Sequence, residues 1–256
     1  MAKQKNNLHI SLIIPCYNEE ENIKKGVLDE IGNFTNSDER ITEIIIVDDG
    51  STDKSIDIIK KKYLSLFPKY RLIKKAHQGK AFAIIRGIHE AKSNYVMFSD
   101  IDLATPIEEV DKLVSKAVKG ADIVIGSRSG RRDGAPLTRK IMALGMIFIR
   151  NYIIGLRGIN DTQCGFKLFD RNAANKIISS LHVFKTNQIK QGSSVSAGFD
   201  LEFLFVASKL GYSIQEVPVI WRHVETKNVT FMKSSIEGLK DILQIKWYDL
   251  QNKYPN

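Results

Sequence analysis

The first half of the chain alternates short apolar runs with longer segments whose apolar residues recur every three to four positions. β-branched runs bounded by Gly, Pro or Asp are typical of buried strands, and periodic segments between them are typical of amphipathic helices. Five strands are predicted, at residues 9–15, 43–47, 70–74, 95–99 and 122–127. Helices are predicted from residue 18 and at 54–67, 80–92 and 106–119. Pro106 is expected at the first helical position with Thr105 as its cap. The alternation predicts an α/β fold with a mostly parallel central sheet.

The second half of the chain is less regular. Residues 130–134 are predicted to form a basic loop. The most apolar stretch, residues 141–156, is interrupted by Arg150 and Asn151, which fits a helix on a membrane surface, in a core or in a dimer better than one that spans a bilayer. The segment with Asp161 is predicted to be a loop. A helix near residue 198, a strand at 212–220 and an amphipathic helix at 234–250 complete the pattern.

Polar clusters directly follow four of the predicted strands. They are Tyr17-Asn18-Glu19, Asp48-Asp49, Asp100 with Asp102, and Ser127-Arg128. Two acids after one strand are weak evidence, because they are also an ordinary polar exit from a strand. Four clusters are stronger evidence, since the carboxyl ends of parallel strands meet at the edge where ligands bind. Carboxylates accept hydrogen bonds from ribose and bind hard divalent cations, so the sequence predicts a site for a nucleoside diphosphate and a metal ion.

Composition and charge narrow the class of protein. The chain has 256 residues, of which 43% are hydrophobic and 26% charged, and only two are cysteines, so neither a disordered chain nor a disulfide framework is expected. The net charge of +9 fits nucleic acid, anionic lipid or a phosphorylated substrate. A nucleic-acid-binding module is the less favoured interpretation, because the positive charge is not concentrated in such a motif and acids crowd the ligand edge. No secretory signal or membrane span is predicted.

Several longer motifs, in this order and spacing, resemble family-2 glycosyltransferases with the GT-A nucleotide-sugar fold. The first four are SLIIPCYNEEENI, EIIIVDDGSTD, GKAFAIIRGIHEA and MFSDIDLATPIEEV. The later ones, GSRSGRR, NDTQCGFKLF and GFDLEFLFVASKLGYSIQEVPVIW, are most similar to the dolichyl-phosphate β-glucosyltransferase branch and its polyprenyl-phosphate relatives. The resemblance implies a single catalytic domain over residues 1–256. Residues 8–128 would bind the nucleotide sugar, and residues 129–256, with the C-terminal amphipathic helix, would bind the acceptor.

The resemblance also implies roles for individual residues of the donor site. The nucleoside pocket would be lined by Pro15, Tyr17, Glu19, Asp48 and Asp49. Gly79 and Lys80 would lie near the base or the diphosphate. Asp100 and Asp102 would hold Mg²⁺ or Mn²⁺, with Asp102 favoured as the direct ligand. Many mannosyl-type relatives have Gln where this chain has Ala104, which weakens a mannosyl assignment.

Other candidates belong to the acceptor side. Four arginines suit phosphate binding, with a solvated basic loop as the alternative: Arg128, Arg131, Arg132 and Arg139. Asp161 and Asp200 are candidate catalytic bases, although either is also explained by structure alone. Gln163 is a further substrate-binding candidate, and His223 is a candidate contact to diphosphate or metal. A sugar alcohol needs a base, whereas a lipid phosphate is already anionic.

The resemblance therefore predicts a metal-dependent inverting transferase that moves glucose from UDP-glucose to dolichyl or polyprenyl phosphate. It would be peripheral at the cytoplasmic membrane face, in contact through residues 141–156 or through Lys240, Lys246, Trp247 and Tyr248 of the last helix. No nucleic-acid partner is expected. Two alternatives stay open. One is a family-2 enzyme with a saccharide or cell-surface polymer as acceptor, for which Asp161 or Asp200 must act as a base. The other is a GDP-mannose-dependent polyprenyl-phosphate mannosyltransferase.

Overall fold

The computed structural model describes residues 8–128, 150–156, 158–184, 197–222 and 231–255. Within these ranges seven strands form one sheet. The strands are β1 (Ile10–Cys16), β2 (Ile41–Asp48), β3 (Tyr70–Lys74), β4 (Tyr95–Ser99), β5 (Ile123–Ser127), β6 (Phe166–Asp170) and β7 (Ile214–Pro218). Their order across the sheet is β3-β2-β1-β4-β6-β5-β7. All neighbours are parallel except β6, which runs antiparallel to both β4 and β5.

Helices cover both faces of this sheet. They are α1 (Glu20–Lys24), α2 (Val27–Ser37), α3 (Ser55–Ile58), α4 (Leu64–Leu66), α5 (Lys80–Glu90), α6 (Val110–Val118), α7 (Arg171–Ser179), α8 (Ala197–Lys209) and α9 (Phe231–Leu250). A π-helical turn, Ile59–Tyr63, joins α3 to α4, and a second one spans Arg150–Ile154. None of the helices in the described ranges is long and apolar enough to cross a membrane.

Most of the predicted elements are confirmed, and the sheet is mixed rather than purely parallel. Strand β6 was not predicted, because its segment follows a polar loop and carries Lys167 in the middle of an apolar run. The prediction for Pro106 is wrong. Its ψ of 142° is extended, so it precedes a 3₁₀ turn (Ile107–Glu109), and no side chain among the described residues caps that turn. Proline fixes only φ, and its φ of −56° suits an extended residue as well as a helical one.

The core lies on both faces of the sheet, which explains the near-continuous apolar runs of the strands. On one face Ile13 and Phe98 pack against α5, and on the other Leu12 and Met97 pack among residues of α2 and α6. Gly87 allows α5 to approach β1 closely. A Cβ at this position would lie 2.4 Å from Cγ2 of Ile13, which is fully buried.

We expect Gly87→Ala to destabilise the fold. The gain in helix propensity is about 1 kcal/mol, but overpacking against a buried β-branched side chain costs about 1–3 kcal/mol, so unfolding in urea should begin at lower concentration. Arg86→Ala, at an exposed position of the same helix, is the matched control and should change the urea midpoint little. Equal stability of Gly87→Ala and wild type would contradict this packing.

Candidate active site at the carboxyl edge of the sheet

The loops after β1 and β2 are joined by hydrogen bonds between their polar residues. Asn18 has a left-handed backbone, with φ 54°, and its Oδ1 accepts a bond from the amide of Thr52 at 2.8 Å. The Asn18 amide donates to Ser51 Oγ at 3.0 Å, and the Glu20 amide donates to Asp53 Oδ2 at 3.0 Å. The polar residues of these two motifs therefore hold the loops after β1 and β2 together, without any ligand.

Asp49 organises the loop between β3 and α5. Its buried carboxylate accepts bonds from Lys75 Nζ at 2.5 Å, the Gln78 amide at 3.1 Å and the Gly79 amide at 2.7 Å. His77 Nδ1 lies 2.8 Å from Oδ2 and 3.0 Å from the Asp49 carbonyl oxygen, so this nitrogen carries the proton. Asp49 thereby holds the His77 ring, which stacks on Tyr17 at 4.1 Å between centroids.

The other predicted nucleoside contacts lie at the same end of β1 and β2. Asp48 is buried, and its Oδ1 accepts a bond from the Ser51 amide at 3.0 Å. Pro15 is buried in β1 opposite Val47 of β2. Glu19 accepts a bond from Asn22 Nδ2 at 2.6 Å. The structure thus places these residues together, with Tyr17 and His77 as the half-buried aromatic wall.

Gly79 directly precedes α5, and Lys80 is its first residue. Gly79 has φ 106°, and among the described residues, apart from Gly79 and its two chain neighbours, no atom lies within 4 Å of the position that its Cβ would take, so these residues leave room for a ligand at this backbone. Lys80 Nζ forms an ion pair with Asp100 Oδ1. Burial disfavours the charged form of Lys80, but the nearby Asp100, with Asp200 and Asp102 behind it, raises the pKa of the ammonium overall. Lys80 is therefore a fixed positive charge at the first turn of a helix, where anions are favoured.

Asp100 and Asp102 form an acidic pair at the end of β4. Asp102 Oδ1 accepts a bond from the Ala104 amide at 3.0 Å. Burial raises the pKa of Asp102, and the charge of Asp100 raises it further. Burial also raises the pKa of Glu19, with Asp102 and Asp100 adding to the effect. The three acids therefore share an excess of negative charge that a cation relieves.

The donor atoms of this pair fit a hard divalent cation. Carboxylate oxygens are the ligands that Mg²⁺ and Mn²⁺ prefer. In the part of the chain that the structure describes, no group of three or more His, Cys, Asp or Glu side chains is arranged around a metal position. Asp100 and Asp102 would thus leave the remaining coordination positions to phosphate oxygens and water, which is the usual way in which Mg²⁺ is held at phosphate sites.

Asp161 clamps Arg128 across the end of β5. The Asp161 carboxylate accepts bonds from Arg128 Nε at 2.7 Å, Nη2 at 2.8 Å and the Arg128 amide at 3.0 Å. Glu216 supports it by accepting a bond from the Asp161 amide at 2.8 Å. Burial opposes ionisation of Asp161, but the hydrogen bonds and charge of Arg128 outweigh it and lower the pKa to about 2.

Lys167, which sequence reasoning missed, pairs with the second candidate base. This lysine is only 1% exposed, and its Nζ donates to Asp200 Oδ1 at 2.8 Å and to the Cys164 carbonyl at 2.5 Å. It lies opposite Phe98 in the register of β6 and β4, and its ammonium is 5.0 Å from the centre of that ring. Burying a charge without a partner costs several kcal/mol of folding free energy. The presence of Lys167 inside an apolar run of the sequence could therefore have indicated that an acid such as Asp200 lies nearby.

A pocket lies between Asp100 and Arg128. It is lined by Ser99, Asp100, Ala104, Thr105, Arg128, Gln163, Gly165 and Trp221. The Arg128 guanidinium carbon lies 5.9 Å from the centre of the Trp221 ring. The segment with Trp221 is tied to the sheet edge, since the Arg222 amide donates to the Ala104 carbonyl at 2.7 Å. The structure therefore brings Arg128, Gln163 and Asp100 together. Arg131, Arg132, Arg139 and His223 lie outside the described residues.

A comparison of the sequence with models of protein families shows which family the chain belongs to. The model of the family described as glycosyl transferase family 2 matches residues 11–178. The chain belongs to glycosyl transferase family 2. The predictions of this family and of the GT-A fold are thereby confirmed, and the protein is an enzyme that transfers a sugar.

Similar proteins of this family align along nearly the whole chain. A dolichyl-phosphate beta-glucosyltransferase of Dictyostelium discoideum is 34% identical over 94% of this chain and 75% of its own length. The human protein of the same name is 30% identical, over 93% and 74%. Glucosyl-3-phosphoglycerate synthase from Mycobacterium tuberculosis, solved with UDP, shares the fold with a TM-score of 0.67 at 20% identity, over 95% of this chain and 82% of that one.

Gly165 tests whether the position of Asp100 matters to this glycosyltransferase. A Cβ on Gly165 would lie 2.2 Å from Asp100 Oδ2, and the residue is outside the left-handed region, so alanine is allowed by the backbone. We expect Gly165→Ala to displace the carboxylate and to lower kcat/KM by about tenfold or more, since small misplacements at a reacting site have effects up to about a hundredfold. Urea unfolding should change little.

Gly87→Ala is the matched comparison, because it adds the same methyl group in the core and not at the site. It should lose stability and keep its activity per folded molecule. Wild-type kcat/KM for Gly165→Ala would show that Asp100 does not need its observed position.

Proposed function

We propose that this glycosyltransferase moves glucose from UDP-glucose to dolichyl or polyprenyl phosphate, with inversion at the anomeric carbon, while in peripheral contact with the cytoplasmic face of a membrane. Relatives named dolichyl-phosphate beta-glucosyltransferase that align over 93–94% of this chain support the acceptor and the sugar. A glucosyl-3-phosphoglycerate synthase of the same fold, solved with Mn²⁺ and UDP-glucose, supports the donor. The continuous sheet from β3 to β7 fits a single catalytic domain, with a donor half at 8–128 and an acceptor half at 129–256.

The donor half would hold the nucleotide. Asp49 fixes the loop that carries His77, and Tyr17 and His77 would contact the nucleoside, with Pro15, Glu19 and Asp48 around it. The open backbone at Gly79 and the ammonium of Lys80 would approach the diphosphate. Asp100 and Asp102 would hold Mg²⁺ or Mn²⁺, which when bound neutralises the charge of the departing diphosphate. Lys80 adds a positive charge from this chain at the same place.

The ion pair between Asp161 and Arg128 is the observation that carries the acceptor assignment. A catalytic base works best with a pKa near the operating pH, whereas the Asp161 pKa of about 2 lies far below it. Asp200 is likewise engaged, by Lys167. A phosphate oxygen is already anionic and needs no base. It would be positioned by Arg128 and Gln163, attack the anomeric carbon of glucose and form the new C–O bond as the bond to UDP breaks.

Substitution of Asp161 shows whether this residue positions Arg128 or acts as a catalytic base. Asp161→Asn keeps the shape of the side chain and removes the charge that holds Arg128, so we expect kcat/KM for the acceptor to fall by at least about tenfold. The loss should be the same from pH 6 to pH 9, since no titrating base has been removed. Recovery of activity at high pH would mean that Asp161 is the base, and the acceptor would then be an alcohol.

A reaction panel tests the whole proposal. The purified protein with Mn²⁺ or Mg²⁺ is offered UDP-glucose, UDP-galactose, UDP-N-acetylglucosamine or GDP-mannose, each with and without a short polyprenyl phosphate, and products are identified by mass spectrometry. We expect a glucosylated lipid phosphate from UDP-glucose alone, and its loss with EDTA. Transfer of mannose from GDP-mannose would contradict the assignment of UDP-glucose as the donor. Hydrolysis of a donor with the lipid untouched would overturn the acceptor in favour of a saccharide.

A further inference from the structure

The last helix, α9, is buried on one side and exposes large apolar side chains on another. Ile242 and Ile245 are in the core. Among the side chains of α9 that the structure describes, four large apolar ones are exposed: Leu239 by 38%, Leu243 by 54%, Trp247 by 60% and Leu250 by 67%. At about 100° per residue these four fall within about 80° of one another around the helix axis. They form one continuous stripe, called here the α9 stripe.

Lysines border the α9 stripe on both sides. By the same helical spacing, Lys240 falls just beyond Trp247 at one border, and Lys246 falls just beyond Leu239 at the other. Lys240 is exposed and Lys246 is half-buried, with its Nζ 2.9 Å from Asp249 Oδ2. An apolar stripe between cationic borders is the pattern of helices that lie in the interface of an anionic bilayer, where lysines reach the headgroups.

The α9 stripe starts close to the catalytic edge. A Cβ on Gly198, in the first turn of α8, would lie 2.1 Å from Asp241 Oδ2 of α9. Gly198 is two residues from Asp200, which pairs with Lys167. At the opposite end, Lys209 of α8 pairs with Asp249 at 2.8 Å. The two helices therefore run in the same direction, and the Leu239 end of the stripe is the one nearer the site.

We propose that the α9 stripe docks on an anionic lipid bilayer. This inference rests on the proposed lipid-phosphate acceptor, whose phosphate lies at the surface of a bilayer. It identifies the α9 stripe as the part of the protein that contacts that bilayer. Two copies of this chain joined through their stripes would bring lysines from both borders together, which like-charge repulsion disfavours. Anionic headgroups offer the opposite charge at both borders.

Vesicle co-sedimentation tests the surface without any acceptor present. The full chain is mixed with vesicles of phosphatidylcholine alone or of phosphatidylcholine with phosphatidylglycerol. We expect binding that needs phosphatidylglycerol and weakens with salt. Leu243→Ser/Trp247→Ser should lower the partition coefficient at least about tenfold. Leu66→Ser, which changes a leucine that is 51% exposed on α4, is the matched control and should bind as wild type.

Two outcomes would overturn the docking surface. One is equal vesicle binding, or equal absence of it, in wild type and Leu243→Ser/Trp247→Ser. The other is light scattering that shows a wild-type dimer converted to a monomer by the same substitutions, which would assign the stripe to a second copy.

The activity of the same variant separates docking from the proposed reaction. With a water-soluble, short-chain prenyl phosphate, the double variant should keep wild-type kcat/KM, and with the acceptor in vesicles it should lose at least about tenfold. If wild type glucosylates no prenyl phosphate while the vesicles bind wild type and the two variants as expected, that result would support the docking surface and contradict the proposed acceptor. A double variant that is impaired equally with the soluble acceptor would contradict a role limited to docking.

Discussion

The bidentate ion pair between Asp161 and Arg128 fixes the segment on which the acceptor side of the site depends. This segment, residues 160–165, is attached through several of its residues, including the Asp161 amide, which donates to Glu216. Asp161 holds Arg128 at the end of β5, the Cys164 carbonyl accepts a bond from Lys167, and Gly165 packs against Asp100. One short loop therefore sets the positions of the arginine that we assign to the acceptor and of an acid that we assign to the metal. A shift of the loop moves both.

Pairs of opposite charges lie at the carboxyl edge of the sheet, and this pairing limits which side chains can act as bases or bind phosphate. Lys167 faces Asp200, Lys80 faces Asp100, and Arg128 faces Asp161. Buried ion pairs add little to stability compared with apolar packing, but loss of one partner is costly. Such pairs hold groups in place and hold the Asp161 pKa low. Burial instead raises the pKa values of Asp102 and Glu19, and the charges of neighbouring acids raise them further. The edge thus attracts a cation at one end and offers fixed positive groups for phosphates at the other.

The strand and helix pattern and the acidic clusters could be predicted because they are local in sequence. The strands β1 and β2 are mostly apolar, and polar clusters lie directly at their carboxyl ends. The pairing of Lys167 with Asp200 joins residues 33 positions apart, and no local pattern specifies it. The same applies to Asp49, which was predicted to hold a nucleoside and is seen to hold the loop with His77 and Gly79. β6 was not predicted because one buried lysine interrupts its apolar pattern, and the charge of that lysine is paired with an acid on α8 that lies far away in sequence.

Calorimetric titration of UDP tests whether this edge binds a nucleoside diphosphate through a divalent cation held by Asp100 and Asp102. We expect UDP to bind in the presence of Mn²⁺ and EDTA to weaken this binding strongly. Asp102→Asn should remove most of the Mn²⁺ effect while leaving the fold intact. UDP binding of equal strength with Mn²⁺ and with EDTA in wild type would contradict binding through the cation.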